Sequence, residues 1–246
     1  MKYLLTLLLL CFSVKASPVG FSQNGSLNYG LVGWWTMNEG SGTNAFDYSS
    51  YGNTGTGTNS PIWTNGVIGG AVYLNLTNGF KASSPFSSQS AFSVSFWIQD
   101  QSSCATLSTA YHRVVCWTIG ITNVQIGMCP SNSSAPYGPP GFYIQSSSNT
   151  TCTLLGAYLA NSNAVHHIVA TYNTSTYHIY LDGQIADKMS NPSQVASTPF
   201  ISSNLWVGQR GNGAGVIGML DDVRIYNRAI SADEVSQLYG GGYGKQ

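Results

Sequence analysis

Charge is what this sequence has least of. Nine residues of 246 are Lys or Arg and nine are Asp or Glu, 7% in all, and the formal net charge is zero; an ordinary globular protein carries about 25% charged residues. So few cations, scattered along the chain, cannot neutralise a phosphate backbone, which excludes nucleic acid and anionic membranes as principal partners. Long apolar runs are also missing beyond the N-terminus: no later stretch approaches the roughly 20 residues of a spanning helix, so membrane insertion is not expected. There is no Gly-x-Ser-x-Gly nucleophile elbow. No cysteine pair has the short Cys-x-x-Cys spacing that structural zinc prefers.

The chain opens with Met1-Lys2, an apolar run from Tyr3 to Val14, then Lys15, Ala16 and Ser17. This is the pattern of a secretory signal peptide, so residues 1–16 are expected to be removed and the protein to be secreted. The competing reading is an uncleaved anchor with Cys11 as a lipid site. With Cys11 gone, Cys104, Cys116, Cys129 and Cys152 remain, an even set that reads as two disulfides in an exported chain. Three pairings are possible and spacing does not choose among them. Asn24, Asn75, Asn132, Asn149 and Asn173 each begin an Asn-x-Ser/Thr sequon, a surface position if glycosylated.

With little charge available, the surface must consist of Ser, Thr, Asn, Gln, Gly and Tyr, a chemistry suited to uncharged sugars or to another copy of the chain. Short apolar segments separated by Gly, Ser, Asn and Pro clusters indicate an all-β fold, a two-sheet antiparallel β-sandwich. Strands are expected at 31–37, 71–74, 92–98, 114–121, 141–145, 165–172, 178–181, 205–208 and 218–226. Asp182-Gly183 signals a tight hairpin. One short C-terminal helix is expected from the capping box Ser231-Ala232-Asp233-Glu234, with Val235 and Leu238 on one face and Gly240 as its stop. Residues 29–240 then form one domain with a cysteine-containing insertion at about 101–155. A flexible leader (17–28) precedes it and a Gly-rich tail (241–246) follows.

Several strings together resemble laminin-G-like jelly roll domains of the concanavalin A-like lectin/glucanase superfamily. They are GLVGWWTMNEGSGTNAFDYSSYGNTGT, AFSVSFWI, HHIVATYNTSTYHIYLDGQ and GMLDDVRIYNRAISADEVSQLY, in the family's order between Leu31 and Tyr239. Two departures stand out: Val165 sits where the family often has Trp, and the stretch from Gln101 to Leu155 has no counterpart. The resemblance implies recognition of carbohydrate or cell-surface partners, often with a structural calcium. The related glucanases carry clustered acids as Glu-x-Asp-x-x-Glu, a string this chain lacks.

Alternation puts Leu31, Gly33, Trp35, Met37 and Glu39 on one face of the first strand, and Asp221, Val223 and Ile225 on one face of the last. A carboxylate at the end of an inward row must be paired or metal-bound. Glu39, Asp47 and Asp221 or Asp222 are therefore candidate Ca²⁺ ligands. The alternative is that Glu39 and Asp47 cap turns while Asp222 pairs with Arg224. Trp34, Trp63, Tyr111, Tyr137 and Trp206 are candidate stacking platforms for a sugar, with Gln209, Arg210 and Asn212 as hydrogen-bonding neighbours; the alternative for each Trp is the core. His166 and His167 alternate across a strand, so at most one can join a site. The function expected is a lectin-like module for a neutral glycan or a cell-surface partner. Structural or adhesive self-assembly is the alternative, and a glycan-active hydrolase fits less well because glycoside hydrolysis needs two carboxylates at a fixed separation.

Overall fold

The computed structural model describes residues 27–85, 91–101, 112–119, 122–129, 141–145, 153–154, 163–173, 176–186, 204–209 and 216–243; for those between 112 and 154 the description covers the backbone. The strands are β1 (Leu31–Trp35), β2 (Asn44–Ala45), β3 (Gly55–Thr58), β4 (Ile62–Asn65), β5 (Gly70–Asn75), β6 (Gly79–Ser83), β7 (Ala91–Asp100) and β8 (His112–Ile119). They continue as β9 (Thr122–Cys129), β10 (Gly141–Gln145), β11 (Thr153–Leu154), β12 (Val165–Asn173), β13 (Thr176–Leu181), β14 (Gln184–Ile185), β15 (Asn204–Val207) and β16 (Ile217–Tyr226). The helix α1 spans Ala232–Tyr243.

Two antiparallel sheets result. Sheet A runs β14-β13-β12-β7-β16-β5-β4, with β1 also on β16; sheet B runs β11-β10-β9-β8-β15-β6-β3-β2. Between them lies an apolar layer, to which alternate residues of the longer strands with described side chains contribute. Sheet A supplies Phe92, Val94, Phe96 and Ile98 from β7 and Ile168, Ala170 and Tyr172 from β12, and sheet B supplies Phe80, Ala82, Leu205 and Val207. The Asp182-Gly183 turn forms as expected: both residues have positive φ, 51° and 77°, as a two-residue hairpin of primed type requires.

Bulges correct the facing expected for both terminal strands. The β1–β16 register shifts between Leu31 and Gly33, and the β16–β7 register shifts between Asp221 and Arg224. An extra residue reverses which face the rest of a strand presents. Val32, Trp35 and Met37 therefore enter the inter-sheet core, whereas Leu31 and Trp34 join a second cluster beneath α1. On β16 the core takes Leu220, Val223 and Ile225. Asp221 instead pairs in register with Trp97, on the face opposite Val223.

That second cluster, Leu31, Val169, Tyr180, Tyr226, Ile230, Val235 and Leu238, seals much of sheet A's outer face. The capping box forms reciprocally, with Ser231 N–H donating to Glu234 Oε2 and Glu234 N–H to Ser231 Oγ. The helix passes through Gly240 rather than stopping there. Glycine disfavours a helix by only about 1 kcal/mol per residue, and the packed Val235 and Leu238 hold the preceding turns. Leu27, assigned from sequence to a flexible leader, packs against the same cluster. The sequence pattern does not mark β2, β3, β4, β6, β9 or β11 as strands.

Candidate functional site

The outer face of sheet B is built by the alternation that fills the core. Phe80 and Ala82 of β6, and Leu205 and Val207 of β15, point inward, so Lys81 and Trp206 must point outward. They are direct cross-strand partners, and the Lys81 ammonium lies 5.5 Å from the centroid of the half-buried Trp206 ring. Lys81 is in turn opposite Thr56 on β3, which is opposite Asn44 on β2. The row Trp206–Lys81–Thr56–Asn44 therefore crosses four strands. Beside it lies a groove of about 440 Å³ lined by Thr54, Thr56, Thr58, Lys81, Ser83 and Asn204 among others. At its rim the buried Gln209 donates from Nε2 to Thr58 Oγ1 at 2.6 Å. The groove offers hydroxyls, an amide and one cation, with the Trp206 ring next to it across from Lys81; among the described residues no carboxylate lines it.

The expected sugar-binding residues separate. Trp206 lies on this face, and Gln209, itself buried, is tied to Thr58 at its edge. Trp34 and Trp63 do not. The Trp34 indole donates to Asp222 Oδ1 at 2.7 Å and lies under the Arg224 guanidinium at 4.5 Å, packed against the cluster below α1. Trp63 packs on Phe80 against the core and donates to the Gly42 carbonyl. Both serve the fold, the alternative noted for each Trp. Tyr111, Tyr137, Arg210 and Asn212 lie outside the described residues. So do Cys104, Cys152, Asn24, Asn132 and Asn149, and the side chains of Cys116 and Cys129. Asn75 and Asn173 are exposed. Lys81, Thr56 and Asn204 were missed by sequence reasoning, although the inward pair Phe80 and Ala82 would have pointed Lys81 outward.

The carboxylates expected to share a calcium do not converge. Asp47 accepts from the backbone of Trp34, Ser49 and Asn53 and from the Ser49 hydroxyl. Glu39 Oε1 accepts from Phe46 N–H, and Asp222 is held by Arg224 and Trp34. Asp221 Oδ2 accepts from Val67 and Ile68 N–H at 2.8 and 2.9 Å. Among the described residues no group of three or more His, Cys, Asp or Glu is placed to hold a metal. Each acid has hydrogen-bond donors of its own on at least one oxygen, while Glu39 Oε2 and Asp221 Oδ1 are buried without a partner.

Sheet A carries a further concavity, about 600 Å³, lined by Thr64, Val67, Tyr73, Gln99, Gln101 and Met219 among others. Two of its amides are already engaged: Gln99 Nε2 donates to the Asn163 carbonyl, and Gln101 Nε2 to Gln99 Oε1. Deeper in the same sheet, His167 Nε2 meets Ser95 Oγ at 2.9 Å, the geometry of a nucleophile beside a base. Both are almost wholly buried beneath α1, so no substrate reaches them. Burial, and the charge of Arg224, push the His167 imidazole down to about 3. His166 Nδ1 faces Asp182 Oδ2 at 2.8 Å, and Asp182 also accepts from His167 N–H. The pair ties the hairpin to β12.

Two facing antiparallel sheets with an apolar layer between them define a jelly-roll β-sandwich. A profile of the concanavalin A-like lectin/glucanase superfamily, laminin-G-like, matches residues 69–236, and the chain belongs to that family. Solved structures share the fold. Domain 4 of an extracellular arabinanase from Geobacillus stearothermophilus, in complex with arabinotriose, is 16% identical with a TM-score of 0.67 over 85% of this chain and 98% of that one. The binding domain of botulinum neurotoxin serotype G is 17% identical (TM-score 0.60) over 85% of this chain. The sialidase of Trypanosoma rangeli is 14% identical (TM-score 0.58), again over 85% of this chain. This chain spans 50% of the toxin domain and 32% of the sialidase. No curated protein matches the sequence.

Proposed function

We propose that the protein is an exported binding module for neutral glycans, which it grips on the outer face of sheet B. The carrying observation is Trp206, half-exposed beside Lys81 in a row of polar side chains. An aromatic face stacks on a sugar ring while neighbouring hydroxyls and amides bond its hydroxyls. The bound arabinotriose of the arabinanase domain supports a neutral saccharide as the ligand class. Binding rather than catalysis is favoured because, among the described residues, the groove has no carboxylate pair of the kind that glycoside hydrolysis requires.

Affinity electrophoresis in gels containing soluble arabinan, xylan, mixed-linkage β-glucan or galactomannan tests the reading. Retardation by at least one polymer is expected, little changed by raising salt because no net charge drives it, and lost in Trp206→Ala. Retardation that Trp206→Ala leaves intact, or none on any polymer, removes the proposal. Self-assembly is the second reading, favoured by exposed Ile62 and Ile185 on β4 and β14, at the two ends of sheet A. Concentration-dependent light scattering abolished by Ile62→Lys or Ile185→Lys would support it.

A further inference from the structure

The segment joining β2 to β3 holds Phe46, Tyr48 and Tyr51, exposed by 50, 57 and 55%. Three large rings in water within six residues form a concentrated apolar display for a surface loop. They are exposed although the loop is firmly fixed. Asp47 accepts four hydrogen bonds, tying the loop to Trp34, Ser49 and Asn53. Tyr48 N–H donates to the Trp34 carbonyl, Trp35 Nε1 to the Asn53 carbonyl, and Asn53 Nδ2 to the Val32 carbonyl. The Tyr48 ring is set edge-on to Trp34 at 6.2 Å. Rings held in place before binding lose little conformational freedom when a ligand arrives.

Their position is as telling as their exposure. Asn44, Phe46 and Tyr48 are exposed in alternation with the buried Ala45 and the half-buried Asp47. Asn44 ends the row that starts at Trp206, three strands away, a span of about 14 Å at ordinary strand spacing. Between residues 40 and 58 there is no Lys or Arg, and Asp47 is the sole acid. Nothing here attracts an anionic ligand, and two of the three rings carry a hydroxyl.

We infer that the Phe46, Tyr48 and Tyr51 loop is a second stacking platform, which extends the Trp206 face so that the ligand is an extended neutral polysaccharide chain. This rests on the glycan-binding reading above. The test compares the parent, Trp206→Ala and the triple variant Phe46→Ser, Tyr48→Ser, Tyr51→Ser on the polymer that retards the parent and on a disaccharide of the same sugar. All three side chains are solvent-facing, and an unchanged melting temperature checks that the variant folds.

The triple change is expected to weaken polymer affinity about tenfold or more while altering disaccharide affinity less than about twofold. Polymer affinity unchanged within about twofold, with Trp206→Ala still abolishing it, overturns the inference and leaves the Trp206 reading standing. Retardation indifferent to Trp206→Ala removes both. Co-sedimentation of the parent, but not of the triple variant, with neutral phosphatidylcholine vesicles would make the loop a membrane contact and overturn the inference as well.

Discussion

The two outer faces of this sandwich are made by the same alternation and are put to opposite use. On sheet A the outward residues of β7 and β12, Ser93, Ser95, Trp97, His167, Val169 and Thr171, are all buried, covered by α1 and the segment leading into it. On sheet B the corresponding positions, Lys81 and Trp206, stay open beside a groove. A jelly roll has two faces that could meet a ligand, and here a twelve-residue helix covers much of one of them. Stability should therefore be sensitive on sheet A, and binding on sheet B.

The largest effect that would break this contrast is expected from the helix. Leu238→Ala empties a buried site beneath α1 and should lower unfolding free energy by about 2–4 kcal/mol, read from urea melts; a loss below about 0.5 kcal/mol would mean that α1 is not a structural lid. Glu234→Ala comes next. The Glu234 side chain, 4% exposed, pairs with Arg228 and closes the capping box, so its removal should cost about 2 kcal/mol, largely recovered by Glu234→Gln only at the cap.

Titration sharpens the contrast further, because both strongly shifted groups of the covered face flank Trp97. Asp221 and His167 are its register partners on either side. Burial raises Asp221 from 3.8 to about 7, against the backbone N–H of Ile68 and Val67. The folded form thus keeps a proton that the unfolded chain releases, so this stabilisation is complete below pH 4 and disappears as pH rises through 7. His167, lowered from 6.5 to about 3, stays neutral in the fold while the unfolded chain takes a proton. Its contribution is present above pH 6.5 and is lost on acidification. Between pH 4 and 6.5 the two oppose each other. Relative to the parent, Asp221→Asn should make stability fall more steeply on acidification, by up to about 1.4 kcal/mol per pH unit, and His167→Gln should tilt it the other way. Parallel pH profiles for all three proteins would contradict this. The smallest effect belongs to the open face: Trp206→Ala should change stability by less than about 1 kcal/mol while removing polysaccharide retardation.

Much of this was legible in the sequence. Phe92-Ser-Val-Ser-Phe-Trp-Ile98, Asp182-Gly183 and Ser231 to Glu234 each carry a local signal strong enough to survive tertiary context, and β7, the hairpin and the helix start follow them. The bulges left no such signal. One extra residue near Val32, and another near Asp222, reversed the facing inferred for Asp221 and separated the acids expected to share a calcium. Asp222, at φ 45°, is the local mark of that irregularity. Trp206 and Gln209 were singled out by residue type alone. Their partners Lys81 and Thr58 lie more than 120 residues away in sequence and become neighbours only when β15, β6 and β3 pair.

The measurement that bears most directly on the binding face is backbone amide shift mapping of the ¹⁵N-labelled protein with a neutral oligosaccharide of the polymer that retards it. The expected perturbations trace β15, β6 and β3 through Trp206, Lys81 and Thr56. Perturbations confined to the sheet A concavity, at Thr64 to Val67 and Gln99 to Gln101, would contradict the account.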